Sequence, residues 1–134
     1  MVSVGAITEH GCEADYSNSG GSLDLVAPGG GSDADLPGDP NCHPGAASGN
    51  DVYQETFDGS VRRFSLPRGY VGTSMAAPHV AATAALVIAS GVLGADPTPE
   101  AIEARLKATA RPLGPASSYG AGLVDAAAAT SPAR

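Results

Sequence analysis

The sequence predicts a mixed α/β domain organised around one long, alanine-rich helix. Three observations predict it. Residues 74–90 are apolar or small at nearly every position, and His79 is their only ionisable side chain. Two short apolar runs ahead of that segment, residues 2–7 and 23–27, read as buried strands. Aromatic residues make up only 4% of the chain, so the core must be Ala, Val, Leu and Ile, a composition suited to closely packed helices and strands.

The 134 residues suit a single domain, with residues 1–130 as its body and 131–134 as a tail. The strand at 2–7 opens the chain with no turn, cap or loop before it, and residues 8–22 are a polar, Gly/Ser-rich loop. The strand at 23–27 is stopped by Pro28 and three glycines. Residues 29–50 then form a long loop, of the kind that in a compact domain is usually functional or stapled. Residues 51–57 alternate in strand fashion, Asp58-Gly59 predicts a tight hairpin turn, and residues 61–66 return as the partner strand. Residues 69–73 read as a glycine-containing bend. The helix at 74–90 takes Thr73 as N-cap and Gly91 as its stop, and its apolar circumference predicts burial on every side. A second helix begins at Thr98-Pro99-Glu100, which supplies a cap, a proline for the first turn and an acid at the positive end. Its inward stripe is Ile102 and Leu106, with Glu103, Arg105 and Lys107 turned to water. Residues 120–125 read as a turn or short strand and 126–129 as a brief terminal helix.

Net charge is −7, and the first sixty residues hold ten of the fourteen acids with no Lys or Arg. Such a surface repels phosphate backbones, which argues against nucleic-acid binding. The apolar run at 80–89 is short against the ~20 residues of a membrane span, so no span is expected. Met1-Val-Ser-Val-Gly-Ala has neither the basic flank nor the apolar region of a signal peptide. Cys12 and Cys42 are the only cysteines. A disulfide between them would close a loop rich in Gly, Asp and Pro and would imply an oxidising compartment. Free thiols, or a zinc site shared with His10 and His43, are the alternatives, although the spacing is not that of a zinc finger. Asp33-Ala-Asp35-Leu-Pro-Gly38-Asp39 offers calcium-type oxygens, but Pro37 breaks the EF-hand pattern and the closing glutamate is missing. The expectation is no metal and no cofactor, with calcium as the open alternative.

The chemistry concentrates at Gly72-Thr73-Ser74-Met75-Ala76-Ala77-Pro78-His79. Ser74 stands at the positive end of the long helix, where unpaired N–H groups and the dipole favour negative charge. An oxyanion formed beside it would be stabilised there. Pro78 removes the N–H that would bond the Ser74 carbonyl. A lone Thr-Ser before a helix is ordinarily only a cap, but this octet resembles the nucleophile motif of the subtilases. Three more segments resemble that family in the same order: residues 2–7 with Tyr16-Ser17-Asn18 and Gly20; residues 23–29, ending Ala27-Pro28-Gly29; and Tyr119-Gly120-Ala121-Gly122-Leu123-Val124-Asp125-Ala126.

The resemblance implies the C-terminal portion of a subtilisin-like three-layer fold, with a mostly parallel sheet and a buried central helix. It implies a secreted or cell-envelope serine endopeptidase acting on polypeptides by acyl transfer. Ser74 would be the nucleophile of an Asp/His/Ser triad, and its own N–H one oxyanion donor. His79, which sits inside the motif, is structural in that family. The family's aspartate, histidine and oxyanion asparagine precede the matched region. His10 and His43 do not stand in its contexts, and Gly49-Asn50 is in the wrong place for the asparagine. The expectation is therefore that the N-terminal portion of the domain is absent and that the chain alone is inactive. Two alternatives are a non-catalytic remnant or binding domain, and an α/β-hydrolase esterase. In the latter the acid and histidine follow the serine, whereas His79 is the only histidine after Ser74.

Overall fold

The computed structural model describes residues 1–46, 48–66 and 69–132, so the last two residues of the 131–134 tail lie outside it. Strand β1 (Val4–Ile7) pairs in parallel with β2 (Leu25–Pro28), in the register Val4↔Leu25 through Ile7↔Pro28. The far edge of β2 is taken by residues 122–124. Val26 donates to the Gly122 carbonyl at 3.0 Å, and Val124 donates to the Val26 carbonyl at 3.0 Å. Leu123 and Arg111 then exchange two antiparallel bonds, of 2.8 Å and 2.9 Å. The sheet is thus parallel at its centre and antiparallel at that edge.

Alternation along the strands sends side chains to opposite faces. Ala6, Leu25 and Ala27 join one core cluster with Ala76, Val80, Val87, Leu106 and Ala129. Ile7 and Val26 join a second with Tyr119. Helix α1 (Thr73–Ser90) covers the first face together with α2 (Pro99–Thr109) and α4 (Ala126–Thr130), while the short α3 (Ala116–Tyr119) brings Tyr119 to the other. Three layers result.

Several local expectations change in the structure. Helix α1 starts at Thr73, and its N-cap is Gly72 rather than Thr73. The cap is made by backbone: the Gly72 carbonyl accepts from Met75 N–H at 2.9 Å and Ala76 N–H at 3.3 Å. Burial of α1 is confined to Ala76, Val80, Thr83 and Val87, one stripe at helical spacing. Leu86 and Ile88 remain 51% and 48% exposed. By length and composition alone α1 would suffice to cross a membrane, but that stripe packs on β1 and β2. The C-terminal stop is Gly91, in the left-handed conformation with φ 68°.

The Asp58-Gly59 pair does not make a two-residue hairpin. Strands β4 (Thr56–Phe57) and β5 (Phe64–Ser65) are joined by the six-residue loop 58–63, closed by Asp58 N–H to the Arg63 carbonyl at 2.8 Å. The Asp58 carboxylate accepts from Ser65 Oγ at 3.0 Å and pairs with Arg63 at 3.1 Å, which holds the longer loop. A separate two-stranded ladder accompanies it, because β3 (Val52–Tyr53) pairs antiparallel with β6 (Gly69–Tyr70) where a bend was expected.

In α2, Thr98 caps the helix by accepting from Ala101 N–H at 3.2 Å. Arg105 and Lys107 do not simply face water. Arg105 donates to the carbonyls of Ala129 at 2.9 Å, Ala128 at 3.0 Å and Ser131, filling orphan acceptors at the end of α4. Lys107 reaches Asp24 at 2.6 Å and ties α2 to the entry of β2; this bond is the main reason the Asp24 carboxyl titrates lower than usual.

Tyr119 is fully buried, accepts from Glu13 N–H at 3.3 Å and donates to Asp39 at 2.7 Å. Burial, and then the hydrogen bond to Asp39, push its hydroxyl from 10.0 up to about 12. The folded state therefore holds this proton more tightly than the unfolded chain. The associated stability is complete below pH 10 and is lost as pH rises towards 12. The slope of unfolding free energy against pH should carry a Tyr119 contribution approaching about 1.4 kcal/mol per pH unit in that window. Denaturant unfolding of the native protein and Tyr119→Phe at pH 9, 10 and 11 checks it. The gap between them should shrink with rising pH; a constant gap contradicts the assignment.

Candidate active site

Ser74 is exposed, in the first turn of α1. As the second helical residue its N–H has no carbonyl one turn back within the helix. No acidic residue occupies that first turn, so the positive end of the helix is not neutralised by its own side chains. Among the described residues the hydroxyl makes only a long contact, with Met75 Sδ at 3.7 Å.

The position of this turn is set by a junction between strand end, loop and helix. Gly72 N–H donates to the Gly29 carbonyl at 3.0 Å, tying the helix start to the turn that follows β2. The Tyr16 hydroxyl lies within 2.6 Å and 2.7 Å of the Gly29 and Gly30 carbonyls. Burial raises its pKa, with the Gly72 backbone acting in the opposite direction. Gly29 has no room for a side chain. A Cβ there would lie 2.5 Å from the Ala6 Cβ, 2.8 Å from the Tyr16 hydroxyl and 3.0 Å from the Gly72 carbonyl. Gly72 itself has φ 145°, and a Cβ on it would meet Ser74 Oγ at 3.1 Å. The glycine therefore serves the serine hydroxyl as well as the turn. Gly29→Ala should cost about 1–3 kcal/mol by overpacking, because Ala6 and the Gly72 backbone have little freedom to move. Thermal melts check this; an unchanged Tm contradicts the tight junction.

None of the three histidines is bonded to Ser74. His79 holds its own helix, with Nδ1 2.8 Å from the Met75 carbonyl oxygen. His10 and His43 both turn to Asp33. Asn50 donates to Glu9. Cys12 and Cys42 are joined as a disulfide with Cα atoms 4.8 Å apart, closing the loop between them. The acids of the calcium-type segment diverge in use. Asp33 accepts from Thr8 Oγ1 at 2.6 Å and from His43 N–H at 2.8 Å, whereas Asp39 accepts from Tyr119 and Asn41. Burial acts to raise the Asp39 pKa, but these donors outweigh it and the net shift is downward. The Tyr16–Gly29–Gly72 junction and the Asp33 cluster are not visible in residue spacing, because both join loops distant in sequence.

The sequence matches the family described as the subtilase family over residues 1–122. It is 38% identical to an extracellular protease of Xanthomonas campestris pv. campestris, across 99% of this chain and 20% of that protein. It is 37% identical to alkaline elastase YaB of a Bacillus species, across 96% of this chain and 26% of that protein. Among solved structures, a protease of Pseudoalteromonas arctica superposes with a TM-score of 0.65 at 36% identity, covering 97% of this chain and 35% of that one. A lanthipeptide protease gives 0.63 at 28% identity, covering 96% and 40%. The chain thus spans well under half the length of these relatives. With the parallel β1–β2 pair, the helix that begins at the serine octet and the C-terminal Gly122–Asp125 segment all inside the matched architecture, the chain belongs to the subtilase family.

Proposed function

We propose that Ser74 is the nucleophile of a serine endopeptidase that cleaves polypeptides outside the cytoplasm. The observation that carries this reading is the exposed Ser74 hydroxyl at an uncompensated helix N-terminus, inside the family octet. Family membership and relatives named as proteases support it, and one of those is named as extracellular.

In the proposed reaction Ser74 Oγ attacks the scissile carbonyl carbon and gives its proton to a histidine base. The Ser74 N–H stabilises the oxyanion. The tetrahedral intermediate collapses to an acyl-serine as the base returns the proton to the leaving amine, and water then releases the acid by the same route. A serine without such a base is a weak nucleophile. The base, its aspartate and the oxyanion asparagine come from polypeptide outside these residues. Two observations support that: the three histidines are bonded elsewhere, and the chain covers 20% and 26% of the two curated relatives named above. Leu86 and Ile88, exposed on opposite sides of the buried stripe of α1, leave apolar surface for that polypeptide to cover.

The lack of a base beside Ser74 among the described residues also favours a second reading, a remnant that keeps a protease surface without turnover. Hydrolysis of a denatured protein substrate separates the two. The 134-residue chain alone should show no cleavage above background. A gene product reaching the length of the relatives should cleave and should be blocked by a serine-directed inhibitor. Absence of turnover in that longer product supports the remnant.

A further inference from the structure

Loop residues far apart in sequence gather His10, Asp33 and His43, whose candidate donor atoms all lie within 4.8 Å of one another. His10 Nδ1 is 3.1 Å and 3.0 Å from the two Asp33 oxygens, and His43 Nδ1 is 3.6 Å from Oδ2. The two rings stand at 70° with centroids 5.3 Å apart. Two ligands on one tetrahedral ion, each bonded at about 2.0–2.1 Å, are separated by about 3.3 Å. The nitrogen–oxygen distances here, 3.0 Å and 3.6 Å, bracket that value. We propose that His10, Asp33 and His43 bind a divalent transition-metal ion, zinc by preference, through two imidazole nitrogens and one carboxylate oxygen, with a fourth position open to solvent.

The surroundings are those of a metal site. The Asp33 side chain is only 3% exposed, and its orientation is fixed from behind. Thr8 Oγ1 donates to Oδ1 at 2.6 Å and His43 N–H donates to Oδ2 at 2.8 Å. Such outer donors orient a ligating carboxylate. The Cys12–Cys42 disulfide sets the two imidazoles together, because His10 is two residues before one cysteine and His43 directly follows the other. The cysteine sulfurs are spent in that bond, so the ligands left are imidazole and carboxylate, a set suited to zinc. No Lys or Arg occurs in residues 1–60 to occupy the carboxylate from these loops. The ion has a way in, since the His10 and His43 side chains are 30% and 58% exposed.

The inference does not depend on what Ser74 does. It is tested with the protein carrying Ser74→Ala, to exclude self-digestion, with its disulfide intact and its metal removed by chelator. Zinc alone is titrated by calorimetry, and cobalt(II) is then used as an optical probe. The expected result is one equivalent of zinc, and intense visible absorption from four-coordinate cobalt. His10→Ala and His43→Ala should each weaken zinc at least about tenfold, and Thr8→Val, which removes a donor behind Asp33, by about as much. His43 is the most exposed ligand, so His43→Ala keeps the fold, which circular dichroism and intact mass verify. No uptake of either ion, or uptake unchanged in the His10→Ala/His43→Ala double variant, overturns the proposal.

Discussion

Ser74→Ala, made in a form of the protein as long as its relatives, is expected to lower kcat for peptide hydrolysis by roughly a millionfold, the scale known for losing the triad serine in a subtilisin. KM should change little, because a hydroxyl removed at the helix start takes no binding surface with it. The fold should hardly notice. Ser74 is exposed, and among the described residues its only side-chain hydrogen-bond contact is the 3.7 Å approach to Met75 Sδ. Equal melting temperatures beside a collapsed kcat would separate chemistry from packing. A loss of only a few fold would mean that another group attacks the substrate.

Breaking the Cys12–Cys42 bond should have the largest effect on stability. The bridge spans 30 residues of sequence, for which chain-entropy reasoning gives about 3–4 kcal/mol. The consequence should reach beyond the loop. Tyr119, at the centre of the second core cluster, bonds Asp39 inside that loop, and Asp33 joins its two ends through Thr8, His10 and His43. Cys12→Ser/Cys42→Ser should therefore unfold at markedly lower urea and lose the steep alkaline dependence that Tyr119 supplies. Unfolding curves at pH 8 and pH 11 measure both. An unchanged midpoint would show that the loop holds itself by packing alone.

Much of the fold is written in local patterns. The Thr98-Pro99-Glu100 start of α2 is a cap whose donors and acceptors lie within one turn, so composition suffices to place it. The stop of α1 at Gly91 is legible for the same reason. What misled were features decided by partners elsewhere. Asp58-Gly59 is a strong turn signal, yet Arg63 and Ser65 recruit the Asp58 carboxylate and stretch the loop. Arg105 has the composition of a surface residue and becomes the clamp on α4, because three carbonyls arrive there from a segment more than twenty residues away. The placement of Ser74 at the helix start is legible in its motif, since the glycine, the hydroxyl and the helix are contiguous. The Tyr16–Gly29–Gly72 junction that positions it could not, because three loops meet to make it. The His10–Asp33–His43 cluster is not legible as a unit: the histidines beside the cysteines and Asp33 in the acidic segment can each be singled out in the sequence, but only the fold brings the three together.

The most direct measurement is the site of covalent modification by a fluorophosphonate in the full-length protein, mapped by peptide mass spectrometry. The expected result is a single stoichiometric adduct on Ser74, absent when the protein is denatured first and absent from Ser74→Ala. An adduct on a different serine, with Ser74→Ala still reactive and still hydrolysing peptides, would contradict it.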